Sequence, residues 1–264
     1  MSIPTDQDNP FAPPTAAVLE AAPEGSSRYI PEGRSVAAGR GFAWFGEAWD
    51  LFKRAPGTWI GIFVVFAIAW IALTIIPFGG LLLSVCYPIV AAGLMLGCRA
   101  LEQGKPLEFG HLFAGFGTHS GNLLVVGLLY LAGMLFIGVL MGIGMALVVP
   151  LMGGFRSGAS NWFAMAPAMA LVFLVSMALM LPLIMALWFA PAIVVFNGTA
   201  SMAAMKSSFR GCLRNFVPFL VFGIAGLFFA ILAALPVGLG FLVLGPVTWA
   251  AMYTGYRDIF EPRD

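Results

Sequence analysis

The sequence predicts an all-α polytopic membrane protein, and three observations carry that reading. Hydrophobic residues make up 61% of the chain and charged residues 9%, far from the roughly 45–50% and 25% of a soluble domain; mean hydropathy is +0.96. Six apolar runs reach the length of about 20 residues that crosses a hydrocarbon core of about 30 Å. Lys and Arg gather on one side of those runs. The net charge of +1 hides this segregation, since neither Asp nor Glu occurs between Glu108 and Asp258.

Residues 1–40 differ in kind from the rest. Pro4, Pro10, Pro13, Pro14, Pro23 and Pro31 stand among small and polar residues without an apolar period. Such a stretch buries too little to offset its ordering entropy, which predicts a disordered cytoplasmic tail. No apolar core follows a basic start within the first 30 residues, so a secretory signal is not expected. The D-N-P-F-A-P-P opening at Asp8 to Pro14 resembles an Asn-Pro-aromatic leader found in various bacterial membrane proteins; a docking motif and a plain polar tail both fit it.

A membrane domain over 41–260 follows, with 261–264 as a short C-terminal tail. Its spans fall near Gly57 to Ile76, Gly80 to Gly97, Leu123 to Val149, Met165 to Val195, Phe216 to Leu235 and Leu239 to Gly255. The third and fourth exceed the length of a crossing. Gly138, Gly142 and Gly144 in the third, and Pro167, Pro182 and Pro191 in the fourth, are the positions where bending is expected.

Orientation follows from the basic residues. Arg40, Lys53, Arg54, Arg99, Lys105, Lys206, Arg210, Arg214, Arg257 and Arg263 fall on one side, against Arg156 on the other. Cytoplasmic loops carry the excess, so both termini are expected in the cytoplasm of a bacterial inner-membrane protein.

A repeat groups the spans into three hairpins. P-I-V-A-A-G-L-M-L-G-C-R at Pro88 to Arg99 and P-V-T-W-A-A-M-Y-T-G-Y-R at Pro246 to Arg257 share Pro, Ala, Gly and Arg at the same offsets. Each hairpin is preceded by a segment with the pattern of an interfacial amphipathic helix. In the first, Phe45, Ala48, Trp49 and Phe52 face away from Glu47, Asp50 and Arg54. In the second, Phe109, Leu112, Phe113 and Phe116 cluster against His111. In the third, Met202, Met205, Phe209, Leu213 and Phe216 recur at helical spacing beside Lys206, Arg210 and Arg214.

Lys206, Arg210 and Arg214 are the candidate contacts to anionic lipid headgroups. Each basic residue near an anionic leaflet gains about 1 kcal/mol, and the same residues fix topology. Gly93 and Gly97, Gly138 and Gly142, and Ala251 and Gly255 space small residues four apart, the pattern of close helix packing within the bundle or in self-association.

No catalytic, cofactor or metal site is expected. The histidines are His111 and His119, both in one loop, too few for a hydrolytic metal centre. Ser84, Ser176 and Cys86 have no titratable neighbour in sequence. Cys86, Cys98 and Cys212 form no C-x-x-C pair and read as small apolar fillers. Nothing points to nucleic acid. The expected role is structural, as a scaffold or as a binder of lipid or a membrane-protein partner. The alternative is a channel or transporter for a small or lipid-like solute. Proton coupling is disfavoured because the spans carry no Asp, Glu, Lys, Arg or His, while Pro88, Pro182 and Pro246 leave broken helices open for passive or lipid-directed movement.

The chain resembles an uncharacterised bacterial inner-membrane family, the BPSS-type membrane proteins. The likeness rests on W-F-G-E-A-W-D-L-F-K-R-A-P at Trp44 to Pro56, L-G-C-R-A-L-E-Q-G-K-P-L near Gly97, H-L-F-A-G-F at His111 to Phe116, M-A-L-W-F-A-P-A at Met185 to Ala192, S-F-R-G-C-L-R-N at Ser208 to Asn215 and Y-R-D-I-F at Tyr256 to Phe260. It implies a multi-span membrane protein without an assigned activity. Around Pro191 to Phe219 the chain is also similar, more weakly, to the membrane domain that accompanies some glycerophosphodiester phosphodiesterases.

Overall fold

A computed structural model describes residues 29–117, 119–151 and 162–262. The Asp8 to Pro14 motif and Arg156 lie outside the described residues. Among these the regular structure is helical throughout: α1 (Arg40–Arg54), α2 (Pro56–Ile75), α3 (Gly79–Glu102), α4 (Ser120–Leu151), α5 (Trp162–Trp188), α6 (Ala190–Asn197), α7 (Ser201–Arg214), α8 (Phe216–Ala234) and α9 (Phe241–Phe260).

Five stretches are long and apolar enough to cross a membrane: Pro56–Ile75, Gly79–Glu102, Ser120–Pro150, Ala166–Asn197 and Phe216–Ala234. The sixth run of the sequence reading, now α9, is not among them, because its last turns carry Tyr253, Thr254, Tyr256, Arg257 and Asp258. The reason lies in its position. Helix α9 packs against α1, α2, α3 and α8, and it is buried from Trp249 to Tyr256 on every face. A helix surrounded by protein can carry polar groups that a lipid-facing helix cannot. By contrast, α2 exposes Ile68, Ile71 and Ile75, and α8 exposes Leu227, Phe228 and Ile231.

Aromatic rings fill the space around α9. Phe45 stacks on Phe222 with centroids 4.6 Å apart, Trp44 meets Phe219 edge-on at 5.5 Å, and Phe189 meets Phe260 edge-on at 5.4 Å. Helix α1 approaches α8 so closely that a Cβ at Gly41 would overlap the Pro218 carbonyl.

The joint between α5 and α6 is a break at Phe189. Pro191 has no N–H and its ring crowds the carbonyl one turn back. The Ser208 hydroxyl inserts there: it accepts the Phe189 N–H at 2.9 Å and donates to the Met185 carbonyl at 2.6 Å. A side chain from α7 thus replaces one rung of the helix ladder.

At the far end, tight turns close the α2–α3 and α8–α9 hairpins. Gly79 N–H bonds Ile76 O at 2.9 Å, and Leu239 N–H bonds Pro236 O at 3.0 Å. Phe78 (φ 65°) and Val237 (φ 55°) occupy the left-handed region in these turns, at a cost of about 1–2 kcal/mol for a residue bearing a Cβ.

Two segments differ from the sequence reading, and a third shows part of its apolar stripe outermost. Residues 29–39 of the tail are tied to the bundle by hydrogen bonds to α7 and α9 that composition cannot reveal. The Phe109 to Phe116 segment forms two 3-10 turns, Phe109–Leu112 and Ala114–Phe116, where Glu108 and His111 cap each other instead of extending a helix. On α7, Met202 and Leu213 point outward, with Phe216 beyond them at the start of α8, while Ser201, Ala204, Ser207, Ser208, Gly211 and Cys212 are buried with Met205. Small residues let the backbones approach, and lipid gives large apolar side chains no drive inward.

Candidate functional site

Every charged side chain among the described residues lies in the 29–39 segment, α1, α7, the 103–117 loop, or the last turns of α3 and α9 with Glu261. These parts meet at one end of the bundle. The buried Asp258 carboxylate organises their centre. Arg40 Nε donates to Oδ2 at 2.5 Å, Trp44 Nε1 donates to the same oxygen at 3.0 Å, and Arg34 Nη2 reaches Oδ1 at 3.2 Å. Arg34 Nε also donates to the Asp258 carbonyl at 2.5 Å. Glu47 accepts from Arg40 Nη2 at 2.6 Å. Burial alone lowers the pKa of the Arg40 guanidinium, but its hydrogen bonds to Asp258 and Glu47 outweigh that and hold it above its ordinary value.

The two copies of the repeat meet in a reciprocal clasp. Arg99 at the end of α3 pairs with Glu261 just beyond α9, and Arg257 at the end of α9 pairs with Glu102 at the end of α3. Tyr253 OH donates to Glu102 at 2.6 Å, and the Arg99 guanidinium lies over the Phe196 ring at 3.7 Å.

The first part of the chain straps this end. Ile30 N–H and Arg34 N–H bond the Phe260 and Ile259 carbonyls, each at 2.9 Å, satisfying orphan acceptors at the C-terminus of α9. Asn215, fully buried, accepts Val36 N–H at 2.8 Å and donates to Arg34 O at 2.9 Å. Gly33 takes φ 61° where a Cβ would press on Ile259 and Gly211.

A cup of about 650 Å³ opens between these elements. On the α1 side stand Arg40, Glu47, Asp50 and Arg54; facing them are Glu102, Thr254, Arg257, Asp258 and Glu261, with Arg34 of the strap beside them. A hydrogen bond from Lys53 holds the Asp50 carboxyl below its ordinary pKa. Two apolar recesses open on the flank. One, of about 480 Å³, lies between α1, α8 and α9 around Phe42, Gly46, Trp49 and Phe229. The other, of about 550 Å³, lies between α5 and α8 around Leu181, Trp188, Gly223 and Leu227, with Cys212 at its floor.

The residues singled out in the sequence have the following places. Lys206 is exposed, Arg210 pairs with Glu32 at 2.6 Å, and Arg214 donates to the Gly33 carbonyl at 2.6 Å, so two of the three cations hold the strap. Gly93 and Gly97 abut the 3-10 turns at His111 and Gly115 and the Leu107 side chain. A Cβ at Gly138 or Gly142 would meet open space, whereas one at Gly255 would lie 3.5 Å from Trp44 and Phe189, and Ala251 is buried. Cys98 and Cys212 are buried and free. Among the described residues no three His, Cys, Asp or Glu side chains are grouped for a metal ion. Sequence reading missed Asp258, Ser208 and Asn215. A lone Asp in the last turn of an apolar run was the available signal for the first.

Among the described residues, an all-helical bundle with several helices of membrane-crossing length and its charged side chains at one end defines an integral membrane protein. The chain is 30% identical over 228 residues to a curated Burkholderia thailandensis protein named as a probable inner membrane protein, covering 82% of this chain and 83% of that relative. It belongs to the family of that inner-membrane protein. No family model matches the chain, and no solved structure matches it.

Proposed function

We propose that the protein is a six-span scaffold of the inner membrane, with both termini cytoplasmic, that retains bilayer lipid in its flanking recesses and is neither an enzyme nor a conduit. Helix α9 serves as the sixth crossing: it pairs with α8, its enclosure by α1, α2, α3 and α8 shields its polar groups from lipid, and its polar turns lie at the charged end. The basic residues of that end support a cytoplasmic placement. One observation carries the functional reading. The middle of the bundle is packed with aromatic rings around a buried α9, while the apolar recesses open sideways along helices of membrane-crossing length. Acyl chains match that lining, and a polar solute does not.

Gly46 and Gly223 line the two recesses, and a Cβ at either meets nothing within 4 Å. Gly46→Leu and Gly223→Leu therefore fill the recesses without touching the core. Native mass spectrometry of the purified protein should show retained phospholipid, reduced in both variants at an unchanged melting temperature. Lipid retention unaffected by either variant, or release of small solutes from proteoliposomes, would overturn the reading.

A further inference from the structure

The charged cup at the end of the bundle is separate from the flank recesses and has a chemistry of its own. Its walls carry four guanidiniums and five carboxylates. A bare anion entering it meets five carboxylates, and a bare cation meets four guanidiniums. Repulsion of that kind discriminates between ligands. A ligand bearing both signs escapes both penalties.

Most wall groups already hold the fold together. Arg34 and Arg40 are tied to Asp258, Glu47 to Arg40, and Glu102 and Glu261 to the clasp. Asp50 and Arg54 differ. Asp50 pairs with Lys53 of its own helix, and Arg54 uses Nη1 on the Leu101 carbonyl at 2.8 Å, leaving its other guanidinium hydrogens toward the cup. They stand four residues apart on α1, one helical turn, with Cβ atoms about 5–6 Å apart. A ligand whose ammonium and phosphate lie across a two-carbon link can bridge two opposite charges one helical turn apart. The opposite wall adds Arg257, which is held by Glu102 through Nη1 and by Glu261 through Nε, so that an anion meets its remaining Nη2.

We propose that this cup binds a phosphoethanolamine-type zwitterion, with its phosphate on Arg54 and Arg257 and its ammonium on Asp50. The same chemistry is presented by the headgroup of phosphatidylethanolamine and by free phosphoethanolamine. The site does not depend on the lipid-recess reading, since it shares no lining residue with either recess.

Calorimetric titration of the full-length protein in detergent should rank phosphoethanolamine at least about tenfold above inorganic phosphate and above ethanolamine, since each half loses one charge-assisted contact. Nanodiscs of phosphatidylethanolamine and of phosphatidylglycerol, read by native mass spectrometry, form the second arm. Retention of the first lipid over the second, with weak binding of the free compound, identifies a lipid headgroup; tight binding of the free compound identifies a soluble zwitterion. Asp50→Asn and Arg54→Gln should each weaken the preferred ligand about tenfold at unchanged melting temperature. The proposal is overturned if phosphoethanolamine ranks with its halves and neither lipid is preferred, or if both folded variants bind as the parent does. The ranking on the parent protein decides the matter even where a variant misfolds.

Discussion

Ser208 concentrates an unusual amount of structure in one hydroxyl. It fills the gap that Pro191 opens between α5 and α6, accepting from Phe189 and donating to Met185. Ser208→Ala leaves that buried N–H without an acceptor, and an unpaired buried group costs about 1–3 kcal/mol. Thermal unfolding in detergent should show a loss of that size. Gly138→Ala supplies the contrast: a Cβ there meets nothing within 4 Å, and alanine in a helix interior is favoured over glycine by about 0.5–1 kcal/mol, so its melting point should hold or rise. Neither role was legible in the residue letters. Sequence spacing paired Gly138 with Gly142 as a contact because small residues four apart have that geometry, but whether a neighbour fills the space depends on helices distant in the chain.

The elements show where periodicity succeeds and where it misleads. Long apolar runs were legible because crossing a bilayer imposes a length on each helix, and α2, α3, α4 and α8 begin and end within a few residues of the expected limits. The faces of α1 and α7 were less legible. On α1 the sequence grouped Trp49 with Phe45, Ala48 and Phe52 on the apolar face and left Trp44 out, yet Trp44 is the enclosed tryptophan, held by a hydrogen bond to Asp258, which lies 214 residues on. On α7 an apolar stripe marked the outer face, since in lipid a large side chain is as well solvated outside as in. The strap was invisible for a third reason: its hydrogen bonds and ion pairs reach residues remote in the chain, and such pairings carry no compositional trace. Asn215 anchors it. Asn215→Ala should unpair Val36 N–H and Arg34 O and release the segment, so trypsin should cut after Arg34 or Arg40 much faster than in the parent. Unchanged cleavage would show that the ion pairs to Asp258 hold the strap alone.

At the scale of the whole molecule, charge is polarised along the bundle axis. The described far-end turns, around Phe78 and Val237, carry no charged side chain, whereas the opposite end holds the clasp, the cup and the strap. That polarity sets orientation. A reporter fused after Asp264 should be active only in its cytoplasmic form, and one inserted near Gly158 only in its periplasmic form. Finding both on one side would leave an even number of crossings between them and remove α9 from the count. Composition made the membrane class and the polarity legible. The convergence of the basic residues around Asp258 was not, because pairings between remote segments leave no local pattern.

Arg40 and Asp258 are separated by 218 residues. At a synthesis rate of about 5–20 residues per second, the ribosome takes on the order of 10–40 s to deliver the partner that α1 awaits. For most of that interval α1 lacks α8 and α9 to cover its rings, and until its end Arg40 lacks its buried carboxylate. Helix α1 therefore reaches its final packing only after α9 is made. Synthesis of α9 is then the event that closes the bundle, and a product truncated before it differs by an exposed arginine and tryptophan face.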